Sequence, residues 1–365
     1  MREGWEYKKL GQVCTSDLGK TLNKSKDRGE LHPYLCSINI LWDKIDLSTL
    51  KQACFEADEQ EKYTVRKGDL LVCEGGDTGR SAIWDRDETI LYQNALHRLR
   101  FHESVSPKFV LFYLLYLKDI GEIDNKYSKG VTIKHLVKKA LLSIPLPIPP
   151  KPTQLSIVSE LDKLNELIRI KKEQLKDYDA LAQSIFYEMF GDPVENEKGW
   201  EVKKFGDLFK LKSGDGLSSK DFKTGIYPVY GGNGISGYHN SFNMKGCYII
   251  IGRVGVYCGN VRKVDGEFWL TDNAFRLIYK ENEQNPFFIL YLLNILDLHQ
   301  YTNAAAQPVI SNLTLKSIDV PLPPLSLQQS FAHKIEQIER QKAEVQKTIT
   351  DLETLLAARM QYWFD

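Results

Sequence analysis

The stretch KPTQLSIVSELDKLNELIRIKKEQLKDYDALAQSIFYEMF, residues 151–190, decides how the rest of the chain is read. Apolar residues fall at Ile157, Leu161, Leu164 and Ile168. The seam continues through Lys171, Leu175, Tyr178, Ala182, Ile185 and Met189. The steps alternate between four and three, which is the seam of a heptad helix. Pro147, Pro149 and Pro150 stand before it and Gly191-Asp192-Pro193 after it, so proline marks its entrance and glycine its stop. The design returns 174 positions later. Phe331, Ile335, Ile338, Lys342, Val345, Ile349, Leu352 and Leu356 repeat the alternation behind Pro321-Leu322-Pro323-Pro324. Each seam is interrupted once, at Lys171 and Lys342. A polar seam residue fixes register at some cost in stability. Two narrow, matched seams predict that the helices pair; an amphipathic helix lying on its own domain is the alternative.

The bodies before the helices repeat as well. Gly4-Trp5-Glu6-Tyr7-Lys8-Lys9-Leu10-Gly11 recurs 195 positions on, as Gly199-Trp200-Glu201-Val202-Lys203-Lys204-Phe205-Gly206. Lys67-Gly68 recurs at Lys245-Gly246, an offset of 178. Asn94-Ala95-Leu96 matches Asn273-Ala274-Phe275, and Pro107-Lys108-Phe109 matches Pro286-Phe287-Phe288, both at 179. Gln154 and Gln328 match at 174. The falling offset means shorter loops in the second copy. A duplication without functional meaning is the alternative reading.

Composition narrows the class. The chain has 365 residues, with 48 Lys and Arg balancing 48 Asp and Glu, 42% hydrophobic and 11% aromatic content. That suits two domains with real cores and excludes wholesale disorder. The longest apolar runs, 110–117 and 287–295, fall short of the ~20 residues of a membrane span. The start, Met1-Arg2-Glu3-Gly4-Trp5, carries no secretory signal, so a cytoplasmic location is expected. Six cysteines never form a CxxC pair, which argues against zinc ribbons and disulfide scaffolds. A neutral chain has no bulk attraction to nucleic acid, so such binding must come from local patches.

The fold class expected is α+β, with body domains at 1–150 and 191–325 and long helices at 151–190 and 326–365. Residues 70–72, 96–101, 248–251 and 274–279 read as strands; 109–117 and 287–296 read as short buried helices. The expected coiled-coil interface is Leu161, Leu164, Ile168, Lys171, Leu175 and Tyr178 against Ile335, Ile338, Lys342, Val345, Ile349 and Leu352. Antiparallel pairing would relate the domains by a pseudo-twofold axis across a rod on the order of 55 Å long, at ~1.5 Å per residue. Duplex DNA has a matching dyad and a ~34 Å turn.

Enzyme signatures fail in context. Gly232-Asn233-Gly234-Ile235-Ser236-Gly237 fits GxGxxG, but the residues after it are poor helix formers. Gly19-Lys20-Thr21 echoes the end of a P-loop, yet Cys14 stands where the first Gly belongs. No Asp/Asn-Pro-Pro-aromatic run, metal-ligand spacing or nucleophile elbow is present, so no catalytic or metal residues are expected. Local charge is more telling. Between Asp124 and Glu160 there is no acidic residue, while Lys126, Lys129 and Lys134 are interleaved with Tyr127 and Thr132. Cations with hydroxyls and aromatics suit a duplex backbone; a solvated loop is the alternative. The matching stretch, Tyr301 to Gln307, offers the amides Asn303 and Gln307, which can pair with adenine. Loop 74–81 presents Thr78 and Arg80, and loop 252–257 presents Arg253 and Tyr257. Tyr230, Asn233, Tyr238 and His239 form a further polar-aromatic loop.

This layout resembles the DNA specificity subunit of type I restriction–modification systems. The resemblance rests on the repeated Gly-Trp-Glu-x-x-Lys opening, the Lys-Gly strand entries and Tyr227-Pro228-Val229-Tyr230-Gly231-Gly232-Asn233-Gly234. Ser317-Ile318-Asp319-Val320-Pro321-Leu322-Pro323-Pro324 completes it. The resemblance implies two target-recognition domains, similar to those of adenine-N6 methyltransferases, spaced by an antiparallel coiled coil. It implies a non-catalytic subunit of a prokaryotic cytoplasm reading a bipartite, asymmetric double-stranded DNA target. Two modification (methyltransferase) subunits would dock on it and carry S-adenosylmethionine, with none bound by this chain; restriction motor subunits would join for cleavage. The first copy departs in its proline-rich 143–152 run and in lacking a visible Tyr-Pro-Val-Tyr counterpart. A stand-alone DNA-modifying enzyme with a cryptic site, and a coiled-coil protein adaptor, are the alternatives.

Overall fold

The computed structural model describes residues 4–23, 28–130, 134–280, 284–302 and 308–365. The chain divides into two compact units: Met1–Lys171 with Thr348–Asp365, and Lys172–Lys347. Each boundary falls midway along a long helix.

Unit 1 opens with strands β1 (Glu6–Lys9), β2 (Cys14–Leu18) and β3 (Glu30–Leu35). A short hairpin, β4 (Ile40–Leu41) and β5 (Lys44–Ile45), leads to β6 (Lys51–Phe55), helix α1 (Ala57–Lys62) and β7 (Thr64–Val65). Then come β8 (Leu70–Cys73), β9 (Ser81–Ile83), β10 (Ile90–Tyr92), β11 (Leu96–Phe101), α2 (Pro107–Asp119), α3 (Lys138–Ser143) and β12 (Pro145–Ile148). The long helix α4 (Lys151–Phe190) runs from unit 1 into unit 2. The second copy starts with β13 (Glu201–Lys204), α5 (Phe205–Leu208), β14 (Phe209–Ser213), β15 (Tyr227–Gly231), β16 (Gly234–His239) and β17 (Met244–Lys245). It continues with β18 (Tyr248–Gly252), β19 (Val261–Val264), β20 (Glu267–Leu270), β21 (Ala274–Tyr279), α6 (Pro286–Ile295), α7 (Asn312–Leu315), β22 (Asp319–Leu322) and the long α8 (Leu325–Phe364).

The same three sheets occur twice. Unit 1 has the orders β2-β11-β8-β9, β6-β3-β10-β7 and β1-β12; unit 2 has β14-β21-β18-β19, β16-β15-β20-β17 and β13-β22. In each main sheet alternate residues face opposite cores. Leu70, Val72 and Leu99 pack toward α2, while Leu71, Cys73 and Leu96 pack toward the smaller sheet. A sheet covered on both faces is apolar at every position, which explains the unbroken run 70–73. In unit 2, Ile249, Ile251 and Leu277 join the α6 core, while Ile250 and Ala274 join the other.

The structure corrects two details of the repeat. Gly19 N–H donates to the Leu96 carbonyl at 3.3 Å, and Gly214 N–H to the Ala274 carbonyl at 3.2 Å. Leu96 is therefore the counterpart of Ala274, and the Asn-Ala match was one residue out of register. Such a slip exchanges the two faces of a strand. The first copy also does have a Tyr-Pro-Val-Tyr counterpart. Tyr34 and Leu35 pair in parallel with Leu91 and Tyr92, as Val229 and Tyr230 pair with Trp269 and Leu270. The equivalent run is His32-Pro33-Tyr34-Leu35, in which only the proline is shared. The 143–152 run also keeps its place: Pro145 and Pro147 lie in β12 opposite Lys9 and Tyr7.

The long helices pair antiparallel. In unit 2, Phe190 and Phe186 meet Phe331 with ring centroids 5.3 and 5.6 Å apart, and Asp179 binds Lys342 at 2.7 Å, so one index falls as the other rises. In unit 1, Glu160 accepts from Arg359 and from Trp363 Nε1, the latter at 3.1 Å, and Ile157, Leu161, Met360 and Phe364 share one core. The residues of both seams are buried or half-buried. Leu161, Ile168, Ile335, Ile338, Val345 and Ile349 are buried; Leu164, Lys171, Leu175, Tyr178, Lys342 and Leu352 are half-buried. Lys342 keeps its charge solvated by proxy, between Asp179 and Glu339 at 2.7 and 3.0 Å.

One buried glutamine fastens each body to its helix. Gln154 Oε1 accepts from Ser106 N–H at 2.8 Å, and Nε2 donates to the Ser104 and Pro149 carbonyls. Gln328 Oε1 accepts from Asn285 N–H at 3.0 Å, and Nε2 donates to Gln284 Oε1 and the Pro323 carbonyl. Both are fully buried, so each side-chain amide replaces water at the mouth of α2 or α6.

Candidate nucleic-acid interface

One end of each main sheet is tied to a helix and the other ends in loops. β11 finishes at Phe101 and delivers the chain to α2, whose first turn Gln154 holds. At the opposite end β2 and β8 finish, and β9 and β11 begin. The loops there are laced together by main-chain bonds that recur in both copies. Leu136 N–H donates to Glu74 O at 2.7 Å and Ile310 N–H to Arg253 O at 2.9 Å. Gly79 N–H donates to Cys73 O at 3.0 Å and Gly259 N–H to Gly252 O at 2.9 Å. Gly79 and Gly259 both have positive φ, 83° and 92°, which a side chain would resist. At Gly252 a Cβ would lie 2.6 Å from the Gly232 carbonyl, so loops 231–234 and 252–259 touch only because that residue is glycine.

Matching main-chain bonds carry different side chains. Glu74 occupies the backbone position of Arg253, and Lys20 that of Asp215. Burial pushes the Glu74 carboxyl above its ordinary range, with His135 acting against it. Lys20 is buried, donating to Glu59 at 2.6 Å and to the Cys54 carbonyl at 2.7 Å, a structural ion pair. Arg253 lies over the Phe275 ring at 5.3 Å; its Nη1 reaches Ser213 Oγ and the Asp272 carbonyl only at 3.4 Å, and its buried Nε has no partner among the described residues.

Most residues expected at a DNA surface do gather at these loops, but not all face outward. Lys126 and Lys129 are exposed, and Lys134 Nζ donates to the Asp124 carbonyl at 2.9 Å, which draws the basic stretch against loop 74–80. Thr78 is turned inward. It is fully buried and donates to Asp124 Oδ1 at 2.9 Å, closing the loop. Tyr127 is likewise only 8% exposed and belongs to the α2 core. Arg80 points away from the cluster; its Nη2 donates to the Ser37 carbonyl at 2.8 Å, pinning the β4–β5 segment. Its counterpart by register is Asn260, not Arg253, because Cys73 N–H bonds Arg80 O as Gly252 N–H bonds Asn260 O.

In unit 2 the loops that carry Asn233, Arg253 and Tyr257 meet at Gly232 and Gly252; Tyr257 is 50% exposed, and Tyr230 is half-buried against Phe268. Tyr238 and His239 do not join them. They lie at the far end of β16, about 16 Å from Asn233 at ~3.3 Å per residue, with Tyr238 opposite Pro228 on the strand that carries Tyr230. Tyr238 is exposed there; His239 is buried, its Nδ1 accepting from Lys223 N–H at 3.0 Å. Thr132, Asn303 and Gln307 lie outside the described residues. Sequence reasoning missed Glu74, which only the strand register exposes as the partner position of Arg253. It also missed Arg262, an exposed residue whose Nη2 approaches the Asn233 carbonyl at 3.4 Å. Among the described residues no group of three His, Cys, Asp or Glu side chains could hold a metal, and no helix is long and apolar enough to cross a membrane.

The chain matches the family described as Type I restriction modification DNA specificity domain over residues 2–177 and 197–354. It is 27% identical to the type I restriction enzyme EcoprrI specificity subunit of Escherichia coli, an alignment covering 60% of this chain and 58% of that protein. The chain thus spans just over half the length of that relative. The MjaVIII specificity subunit of Methanocaldococcus jannaschii is 22% identical, with 97% of this chain and 92% of that one covered. Among solved structures, the type I restriction–modification S subunit from M. genitalium aligns over 99% of this chain and 96% of that one, with a TM-score of 0.60 and 17% identity. A chain from work on complex assembly and conformational transition of the type I R-M system gives a TM-score of 0.64 at 17% identity, covering 100% and 98%. Two family domains in tandem, each built on the same three sheets, make this chain a member of the type I restriction–modification DNA specificity subunit family.

Proposed function

We propose that the chain is the non-catalytic sequence-reading and scaffold subunit of a type I restriction–modification complex in a prokaryotic cytoplasm. Each loop cluster reads one half of a bipartite, asymmetric double-stranded DNA target, with the paired helices as ruler for the spacer. Two methyltransferase subunits, carrying S-adenosylmethionine, dock on it; restriction motor subunits join for cleavage. The observation that carries this reading is that matching main-chain bonds carry unlike side chains, Glu74 against Arg253 above all. A duplicated frame preserves docking geometry, while unlike loops read unlike bases. In this role Lys126 and Lys129 hold phosphates, and Asn233, Arg253 and Tyr257 face base edges or backbone. With a balanced formal charge, the docked subunits supply much of the phosphate contact.

Mapping of methylated adenines in DNA modified by the assembled complex tests it. The expected result is one split target whose halves differ; a continuous short site would contradict the reading. Calorimetry of the purified chain with S-adenosylmethionine should show no binding, and saturable uptake would favour a stand-alone enzyme.

A further inference from the structure

The falling repeat offset leaves one surface open in unit 2 that is closed in unit 1. Between β3 and Lys67 the offset drops from 195 to 178, so the second copy is 17 residues shorter there. In unit 1 the extra residues include the β4–β5 hairpin, whose tip lies against the edge strand β9. Cys73 N–H bonds Arg80 O, so by alternation Ser81 turns its main-chain groups outward. Asp43, at the tip with φ 57°, donates its N–H to that outward Ser81 carbonyl at 3.0 Å. Its carboxylate binds Lys108, in the first turn of α2, at 2.6 Å.

Unit 2 repeats this site without the hairpin. Gly252 N–H bonds Asn260 O, so Val261 and Lys263 of edge strand β19 turn outward. Among the described residues the Val261 carbonyl accepts from the Asn294 side-chain amide alone, at 3.5 Å. Beside it runs a groove of about 720 Å³, floored by Phe287, Leu290 and Tyr291 and ending at Lys342, whose charge Asp179 and Glu339 already pair, so the cation left for a ligand is Lys263. Phe287 replaces Lys108, yet the cation is retained: Lys263 Nζ lies 4.8 Å over the Phe287 ring, with Asp265 no nearer than 3.9 Å.

We infer that the β19 edge and its groove are a docking site for a carboxylate-bearing hairpin tip from a partner polypeptide, supplying in trans what Asp43 supplies to unit 1 in cis. An unpaired edge strand beside apolar side chains is a template for added backbone. The carboxylate meets Lys263, and the tip's N–H meets the Val261 carbonyl. The groove borders the loop cluster at Tyr230 and Arg262, but the docking inferred here does not depend on DNA reading.

A labelled synthetic peptide of residues 37–50 is the probe, titrated with the full chain and followed by fluorescence anisotropy. Saturable binding is expected, weakened at least tenfold by Lys263→Glu. Against that variant a peptide carrying Asp43→Lys should recover the affinity, which also shows that the variant is folded. No binding at millimolar peptide, or binding indifferent to Lys263→Glu, overturns the proposal. Sedimentation showing that the chain pairs with itself through this edge would make the occupant a second copy and overturn it equally.

Discussion

Units 1 and 2 share three sheets but few of the side chains at their loop ends. What they keep is buried and main-chain: the Gln154 and Gln328 clamps, the left-handed glycines at 79 and 259, the bonds from Leu136 and Ile310. What they change is the side chain standing on that frame, as with Glu74 and Arg253. A position whose fold contribution is made by its main chain leaves its side chain free to be chosen for a ligand. The comparison separates the residues that hold the scaffold from those that can read a sequence.

The largest expected effect probes the scaffold. Phe364 packs on Phe109, Tyr113 and Tyr116 in unit 1, and its counterpart Phe190 on Phe288 and Phe331 in unit 2. Phe364→Ala and Phe190→Ala should each cost about 3–5 kcal/mol, in the unit that holds the ring. Hydrogen exchange in α2 and α6 distinguishes them; loosening of the same unit by both would break the equivalence. Gln154→Leu and Gln328→Leu should each cost about 2–3 kcal/mol, because buried main-chain groups lose their partner. Chemical denaturation measures this, and an unequal loss would mean that the two clamps are not alike.

Arg253→Ala should weaken DNA binding by the assembled complex by about 1–3 kcal/mol and relax one position of one half-site. Arg80→Ala, which frees the Ser37 carbonyl, should loosen the β4–β5 segment and leave specificity unchanged. Competition binding with single-base variants separates the two; specificity altered by Arg80→Ala would return that residue to the reading surface. Lys126→Gln with Lys129→Gln should weaken binding to every sequence and flatten the salt dependence by about one unit per lost contact.

The smallest effect is a pH difference between the units. His97 is fully buried and hydrogen-bonded to the Leu136 carbonyl at 2.8 Å, and burial holds its pKa below the ordinary range. The unfolded chain, near 6.5, takes up the proton first. Unit 1 should therefore lose stability as pH falls below about 6.5 toward the folded value, and keep it above. In unit 2 the same register position is Phe275, which does not titrate. Exchange rates across this range should rise in β11 but not in β21, and His97→Phe should remove the difference.

The architecture was legible because its signals are periodic. Heptad seams with one Lys each, paired proline clusters and repeated openings mark helices and copies without tertiary knowledge. Strand register was not legible. Asn-Ala-Leu and Asn-Ala-Phe look alike, but a main-chain bond from Gly19 or Gly214 sets the alignment, and no side chain reports it. The same limit hid the partner of Arg80: an arginine in a glycine-bounded loop reads as a ligand group, and an insertion elsewhere in the sequence offers it the Ser37 carbonyl. Thr78 and Tyr127 were drawn inward by the loop's own closure around Asp124 and by the α2 core, contacts 46 residues apart in the first case. Glu74 carried no motif at all.

The most direct test replaces residues 1–150 with the corresponding body of another family member and maps adenine methylation by the assembled complex. If each frame reads its own half, one half of the recognised sequence changes and the other, with the spacer, is retained. A change in both halves, or in neither, would contradict the account.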